Sequence, residues 1–161
     1  VPGVEFSTGS LGHGLSVACG FALAAKRKSL NFKSYALLSD GELDEGSNWE
    51  AILFAPHHNL DNLTCIIDYN KLQSLTTVKE TLNLEPLKDK ITSFGWNVID
   101  IDGHNHDELK KSINKNTSKP KFIIANTIKG KGISFMENKV VWHYKSANEQ
   151  ELDKGLNELE E

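Results

Sequence analysis

The sequence predicts an α/β domain built as a parallel sheet with helices on both faces. Two observations predict it. Short apolar, β-rich runs alternate with helical patterns along the chain, and such alternation requires crossover connections between parallel strands. The strand-like runs are also nearly continuous in apolar character, as strands buried on both faces are.

The elements follow in order. An Ala- and Leu-rich stretch from Gly14 to Lys28 predicts the first helix, and Tyr35-Ala36-Leu37-Leu38 the first strand. A helix is expected over Gly46 to His58 and a strand over Leu63 to Asp68. Leu87 to Phe94 reads as a helix stopped by Gly95, and Trp96 to Ile101 as the third strand. Asp107 to Asn114 completes the helices between strands, and Phe122 to Asn126 the strands. Residues 128–147 look irregular, and the polar tail 148–161 reads as a surface helix. No repeat, low-complexity stretch or linker divides residues 1–161, which we read as one domain.

Composition narrows the function. A hydrophobic fraction of 39% with 25% charged residues fits a soluble globular chain. A net charge of −4 argues against nucleic acid as a partner, since that function shows as a basic surplus. No apolar run reaches the roughly 18 residues of a membrane span, and the start Val1-Pro2-Gly3-Val4-Glu5 has no leader character. A cytoplasmic location is expected. Cys19 falls in a helical pattern and Cys65 in a strand, so both read as small buried hydrophobes.

In a parallel sheet, ligands bind beyond the carboxyl ends of the strands. Ser39-Asp40-Gly41-Glu42 follows the first strand, and Asp68-Tyr69-Asn70-Lys71-Leu72 the second. Neighbouring strands would deliver Asp40 and Asn70 to one rim. One carboxylate and one amide oxygen make a poor cage for an ion but a suitable half-site for Mg²⁺ (or Ca²⁺), which takes about six oxygens and shares them with phosphates and water. A backbone carbonyl just past Asn70 would add a third protein ligand. Gly41 removes a side chain where a phosphate would approach, and the following helix can aim free N–H groups at it. Either piece alone is ordinary turn chemistry; the specificity lies in both occurring at consecutive strand ends, about thirty residues apart.

This pair resembles the thiamine-diphosphate motif, in which Gly-Asp-Gly is followed some thirty residues later by Asn. The flanks sharpen the resemblance to transketolases: Thr8-Gly9-Ser10-Leu11-Gly12-His13-Gly14, then Asp40 through Ala51, Asp68 through Leu72, Asp100-Ile101-Asp102-Gly103-His104, and Thr127 through Gly132. It covers nearly the whole chain. Trp142-His143 makes it most like the split transketolases, whose halves are separate polypeptides. Ser39 stands where the motif has its first Gly.

The resemblance implies the thiamine-diphosphate-binding fold. It implies metal ligation by Asp40, Asn70 and the Leu72 carbonyl, and cofactor contacts from Gly9, Ser10, Leu11, Asp40, Gly41, Glu42, Asn70 and His143. His143 would also serve catalysis at the substrate entrance, and Glu45 would lie near a dimer interface. The implied activity is transfer of a two-carbon ketol unit from a ketose phosphate to an aldose phosphate. It would require thiamine diphosphate, a divalent metal and a pyrimidine-binding partner subunit or domain in a homo- or hetero-oligomer. Family histidines expected upstream of Val1 are not among these residues, so a partial domain is expected, inactive alone.

Alternatives are a deoxyxylulose-phosphate synthase, a 2-oxoacid dehydrogenase subunit or a non-catalytic assembly module of the same fold. A nicotinamide-binding domain fits poorly, because glycines 9, 12 and 14 have the wrong spacing and only eight residues precede them. His57 and His58 read as helix-end residues, and His104 and His106 as surface or capping residues. His13 is balanced between cleft and structure. Lys129-Gly130-Lys131-Gly132 is balanced between phosphate binding and a basic turn.

Overall fold

The computed structural model describes residues 2–160; Val1, and Glu161 at the end of the expected tail, lie outside the described residues. Four strands form one wholly parallel sheet: β1 (Ser34–Ser39), β2 (Leu63–Tyr69), β3 (Asn97–Asp102) and β4 (Lys121–Asn126), in spatial order β1-β2-β4-β3. The helices are α1 (Gly14–Arg27), α2 (Gly46–His57), α3 (Val78–Thr81), α4 (Leu87–Ser93), α5 (His106–Asn114) and α6 (Glu149–Glu160). Short 3₁₀ turns span Asp40–Asp44 and Val140–His143.

The strand order explains where the helices lie. The chain runs from β1 to β2, then past a gap to β3, and returns to fill the gap with β4. When every crossover has one hand, a reversal of direction sends the returning helix to the opposite face. Accordingly α1, α2 and α4 share a large core with Ala36, Leu38, Cys65, Ile67, Phe122 and Ile124. Helix α5 covers the other face, where Leu109 and Ile113 pack on Ile101, Ile123 and Ala125. The small residues Ala18, Cys19 and Ala22 on α1 are buried in the large core. Cover on the second face stops short of β1: Leu37 there is 72% exposed. The first strand is thus buried on one face only, contrary to what its continuous apolar run predicts.

Most expected boundaries shift by a residue or two. Trp96 precedes β3 rather than starting it, because its indole N–H donates to the Ile52 carbonyl at 2.7 Å and the ring joins the core. Helix α5 begins at His106, capped by Asn105, whose side-chain oxygen accepts from the Asp107 and Glu108 amides. The capping role considered for His104 and His106 therefore belongs to Asn105. No sequence signal marked α3, one turn long, which is capped by Thr77.

Candidate metal and diphosphate site

Strand register builds the site. Ser39 lies beside Asp68 across the β1–β2 pair, so the residues that follow each strand emerge at the same rim. Asp40 opens the 3₁₀ turn and is only 2% exposed. Its Oδ2 accepts the Lys71 amide at 2.6 Å, directly linking the two strand ends. Lys71 adopts φ +66, which turns the chain back under Asp40. Asn70 Oδ1 accepts the Leu72 amide at 3.0 Å, which folds the Asn70 side chain against its own backbone turn. The structure thus brings Asp40 and the 70–72 segment together.

Burial sets the electrostatics. Desolvation pushes the Asp40 carboxyl up to about 6; the Lys71 and Gly41 amides oppose this, while Asp68 and Asp44 add to it. A buried carboxylate with so little compensation is poised to gain from a cation. Among the described residues no group of three or more His, Cys, Asp or Glu side chains could hold an ion unaided. That suits an ion whose remaining ligands come from a bound phosphate.

The surroundings fit an anionic group. A side chain at Gly41 would come within 3.6 Å of Gln73 Cγ. Gln73 is buried, and its Nε2 donor has no partner. An unpaired buried donor is costly unless a ligand accepts from it, so Gln73 joins the candidate residues. Sequence reasoning missed it, since a Gln three residues past Asn70 has no signature of its own. Asp44 Oδ1 and Asn48 Oδ1, on or beside the same turn, are also unpaired, but as acceptors they suit a donor or a cation and not the anion itself.

Glu42 holds two segments together. One carboxylate oxygen accepts the Ser39 amide at 3.2 Å and the other the Gly12 amide at 3.3 Å. Ser47 Oγ donates to the Gly12 carbonyl at 2.7 Å. Gly12 has φ +85, and a Cβ there would lie 2.5 Å from Ser47 Oγ and 2.7 Å from Glu45 Cβ. Only glycine lets this loop sit so close, which brings the exposed Gly9-Ser10-Leu11 segment beside the Asp40 turn. His13 Nδ1 lies 3.1 Å from the Ser10 and Leu11 carbonyls, so this nitrogen carries the proton. Glu45 is exposed at the start of α2.

His143 lies elsewhere in the chain, exposed in the 140–143 turn, with its ring edge-on to Tyr144 at 4.9 Å. It makes no hydrogen bond to Asp40, Asn70 or Leu72 among the described residues. In the Lys129–Gly132 loop the Lys131 and Gly132 amides are engaged within the segment, while the Lys129 and Gly130 amides have no acceptor among the described residues. Ile128, Lys131 and Gly132 donate to His104, the Ile128 carbonyl and Glu137, respectively. Cys19 and Cys65 are both buried and free, and burial raises both thiols, Cys19 to about 11.

This fold, with its rim of paired strand ends, is that of transketolases. The transketolase from Campylobacter jejuni subsp. jejuni NCTC 11168 superposes with a TM-score of 0.92 at 34% identity, covering 98% of this chain and 26% of that one. The transketolase from Leishmania mexicana shares the fold at a TM-score of 0.77 and 22% identity, over 99% of this chain and 29% of its own. The chain belongs to the family described as transketolase, thiamine diphosphate binding domain, matched over residues 1–159.

Several relatives are named as transketolase subunits, and two of them show the extent of the match. One of them, from the apulose-4-phosphate transketolase of Phocaeicola vulgatus, is 41% identical over 100% of this chain and 58% of its own length. The other, the 6-deoxy-6-sulfo-D-fructose transketolase subunit SqwG of Clostridium sp., is 44% identical over 98% of this chain and 58% of its own length. The chain therefore spans less than two thirds of these relatives. No described helix is long and apolar enough to cross a membrane.

Proposed function

We propose that this chain forms the diphosphate- and metal-binding side of a transketolase-type transferase, moving a two-carbon ketol unit between sugar phosphates. The observation that carries the reading is the Asp40–Lys71 contact, which holds a buried carboxylate beside the Asn70–Leu72 turn. Asp40, Asn70 and the Leu72 carbonyl would hold Mg²⁺ (or Ca²⁺), with Gly41 against the diphosphate and Gln73 donating to an oxygen nearby. Gly9, Ser10 and Leu11 would line the cofactor toward its rings. When bound, thiamine diphosphate supplies the acidic thiazolium carbon at which a ketose carbon–carbon bond is cleaved.

The chain's own residues then anchor and exclude. The low-dielectric setting of Asp40 strengthens its hold on the cation. His143 would donate from its imidazole to a developing alkoxide or a phosphate oxygen. The relatives named as subunits support action with a second polypeptide. That partner would bind the aminopyrimidine and supply its activating carboxylate.

Calorimetry on the assembled complex tests the site. Asp40→Ala should abolish Mg²⁺-dependent thiamine-diphosphate binding, and Asn70→Ala should weaken it. Unchanged affinity in Asp40→Ala would overturn the assignment. His143→Ala should lower turnover about 10²-fold while changing cofactor affinity far less, and equal activity would remove His143 from the reaction.

A further inference from the structure

Residues 128–160 are an arm with a narrow attachment. Neither hydrophobic core contains a residue beyond Ala125, and within the arm only Gly155 is buried. The arm is held together from within. Trp142 Nε1 donates to the Phe135 carbonyl at 3.0 Å with the two rings 5.4 Å apart, and Ser134 Oγ donates to Glu158 at 2.8 Å. Its ion pairs, Lys131–Glu137, Lys145–Glu151 and Lys154–Glu158, are all internal.

Among the described residues, one hydrogen bond joins this arm to the rest of the chain. The Ile128 amide donates to His104 Nε2 at 2.8 Å. The contact is built from both sides. The Gly103 amide donates to the Asn126 carbonyl at 2.8 Å, and the His104 amide to Asp102 Oδ1 at 2.9 Å. A Cβ at Gly103 would lie 2.5 Å from Thr127 Cγ2 and 3.1 Å from Ala125 Cβ, so only glycine lets the 102–104 loop reach the end of β4. On the other side, Thr127 is fixed by its amide to the Tyr69 carbonyl at 3.3 Å and by its hydroxyl to Asp68. Thr127 and His104 thus restrain consecutive residues at the root of the arm. Because Nε2 accepts, the imidazole must be neutral with its proton on Nδ1.

We infer that His104 is a positioning residue: its neutral imidazole fixes the direction in which residues 128–160, and with them His143, leave the strand rim. The inference rests on the role proposed above for His143. The mechanical path is explicit. His104 holds Ile128, the loop closes through the Asn138 amide to the Lys129 carbonyl at 3.0 Å, and Phe135 seats Trp142 next to His143.

The test uses the full chain in complex with its partner. Amide exchange at Ile128 is followed by NMR, together with the nitrogen correlations that report the His104 tautomer. His104→Ala should speed Ile128 exchange about 3- to 10-fold, the change expected for losing one net hydrogen bond. It should lower kcat with little change in Mg²⁺-dependent cofactor affinity. His104→Gln, whose Oε1 can accept from the same amide, should restore both protection and kcat. Gly103→Ala should mimic His104→Ala by displacing the loop. An Nδ1-protonated tautomer in the parent supports the latch. Unchanged Ile128 exchange in His104→Ala overturns it, as does a proton on Nε2. Absence of ketol transfer in the unaltered complex would overturn the function proposed above, not the latch, because exchange is read without turnover.

Discussion

The Asp40 rim and the 128–160 arm are held in opposite ways. At the rim, β1, β2, the Asp40 turn and the Gly12 loop are cross-linked through Asp40, Glu42 and Ser47 above a core containing Ile67 and Leu43. Among the described residues the arm adds nothing to that core, and one hydrogen bond, from the Ile128 amide to His104, joins it to the rest of the chain. The rim's geometry is therefore set by the whole fold, whereas the arm's is set by its own internal contacts. A ligand that needs preformed ligands belongs at the rim. A group that must adjust to a substrate can be carried on the arm.

Substitutions separate the two regions. The largest effect should come from Ile67→Ala, which removes a fully buried side chain from β2 below the rim. It should cost about 2–5 kcal/mol in global unfolding, and denaturant titration would show it. A loss below about 1 kcal/mol would mean that the rim is not borne by the core. Next is Gly12→Ala, which meets both a left-handed φ of +85 and the 2.5 Å approach to Ser47 Oγ. About 2–4 kcal/mol is expected from strain and displacement together, along with release of Glu42 from its bridging position.

The same contrast explains what was legible in the sequence. Asp40 and Asn70 were readable because strand ends are set by periodicity, and parallel pairing carries both to one rim. The fold class was readable because hydrophobic runs record burial, although Leu37 misled: its apolar character does not match its exposed place in β1. Gln73 was not readable, since its significance is an unpaired donor beside Gly41, a fact of three-dimensional packing. His104 reads as a surface or capping residue and is indeed exposed; nothing in Asp102-Gly103-His104 announces that its ring also reaches Ile128. The relation of His143 to the rim rests on resemblance, because among the described residues no hydrogen bond joins them.

Acidity gives a third prediction at the rim. With divalent cations removed by a chelator, Asp40 has a folded value of about 6, above an ordinary Asp near about 3.9. The folded state thus keeps a proton that the unfolded chain releases. This contribution is fully present below about pH 4 and is lost as pH rises through about 6. Asp40→Asn removes the titration. The variant should match the parent near pH 4 and exceed its stability by about 1–3 kcal/mol above pH 7. Adding Mg²⁺ with thiamine diphosphate should reverse the order, since only the parent offers a carboxylate. A stability difference that is flat with pH would show that burial does not govern Asp40.

The smallest global effect should come from Trp142→Ala, and it probes the arm most directly. Trp142 joins the 140–143 turn to Phe135 by ring contact and by its indole N–H, and Lys145 Nζ lies 4.5 Å from its ring centre. None of these contacts reaches either core. Removing the indole should leave global unfolding within about 0.5 kcal/mol of the parent. It should still open the arm: amide exchange across 133–145 should accelerate, while Ile128, held by His104, keeps its protection. Local opening at low free energy is the behaviour of a segment with few buried contacts. If Trp142→Ala instead lowered global stability as Ile67→Ala does, the arm would be part of the core's cooperative unit, and the distinction between the two regions would fail.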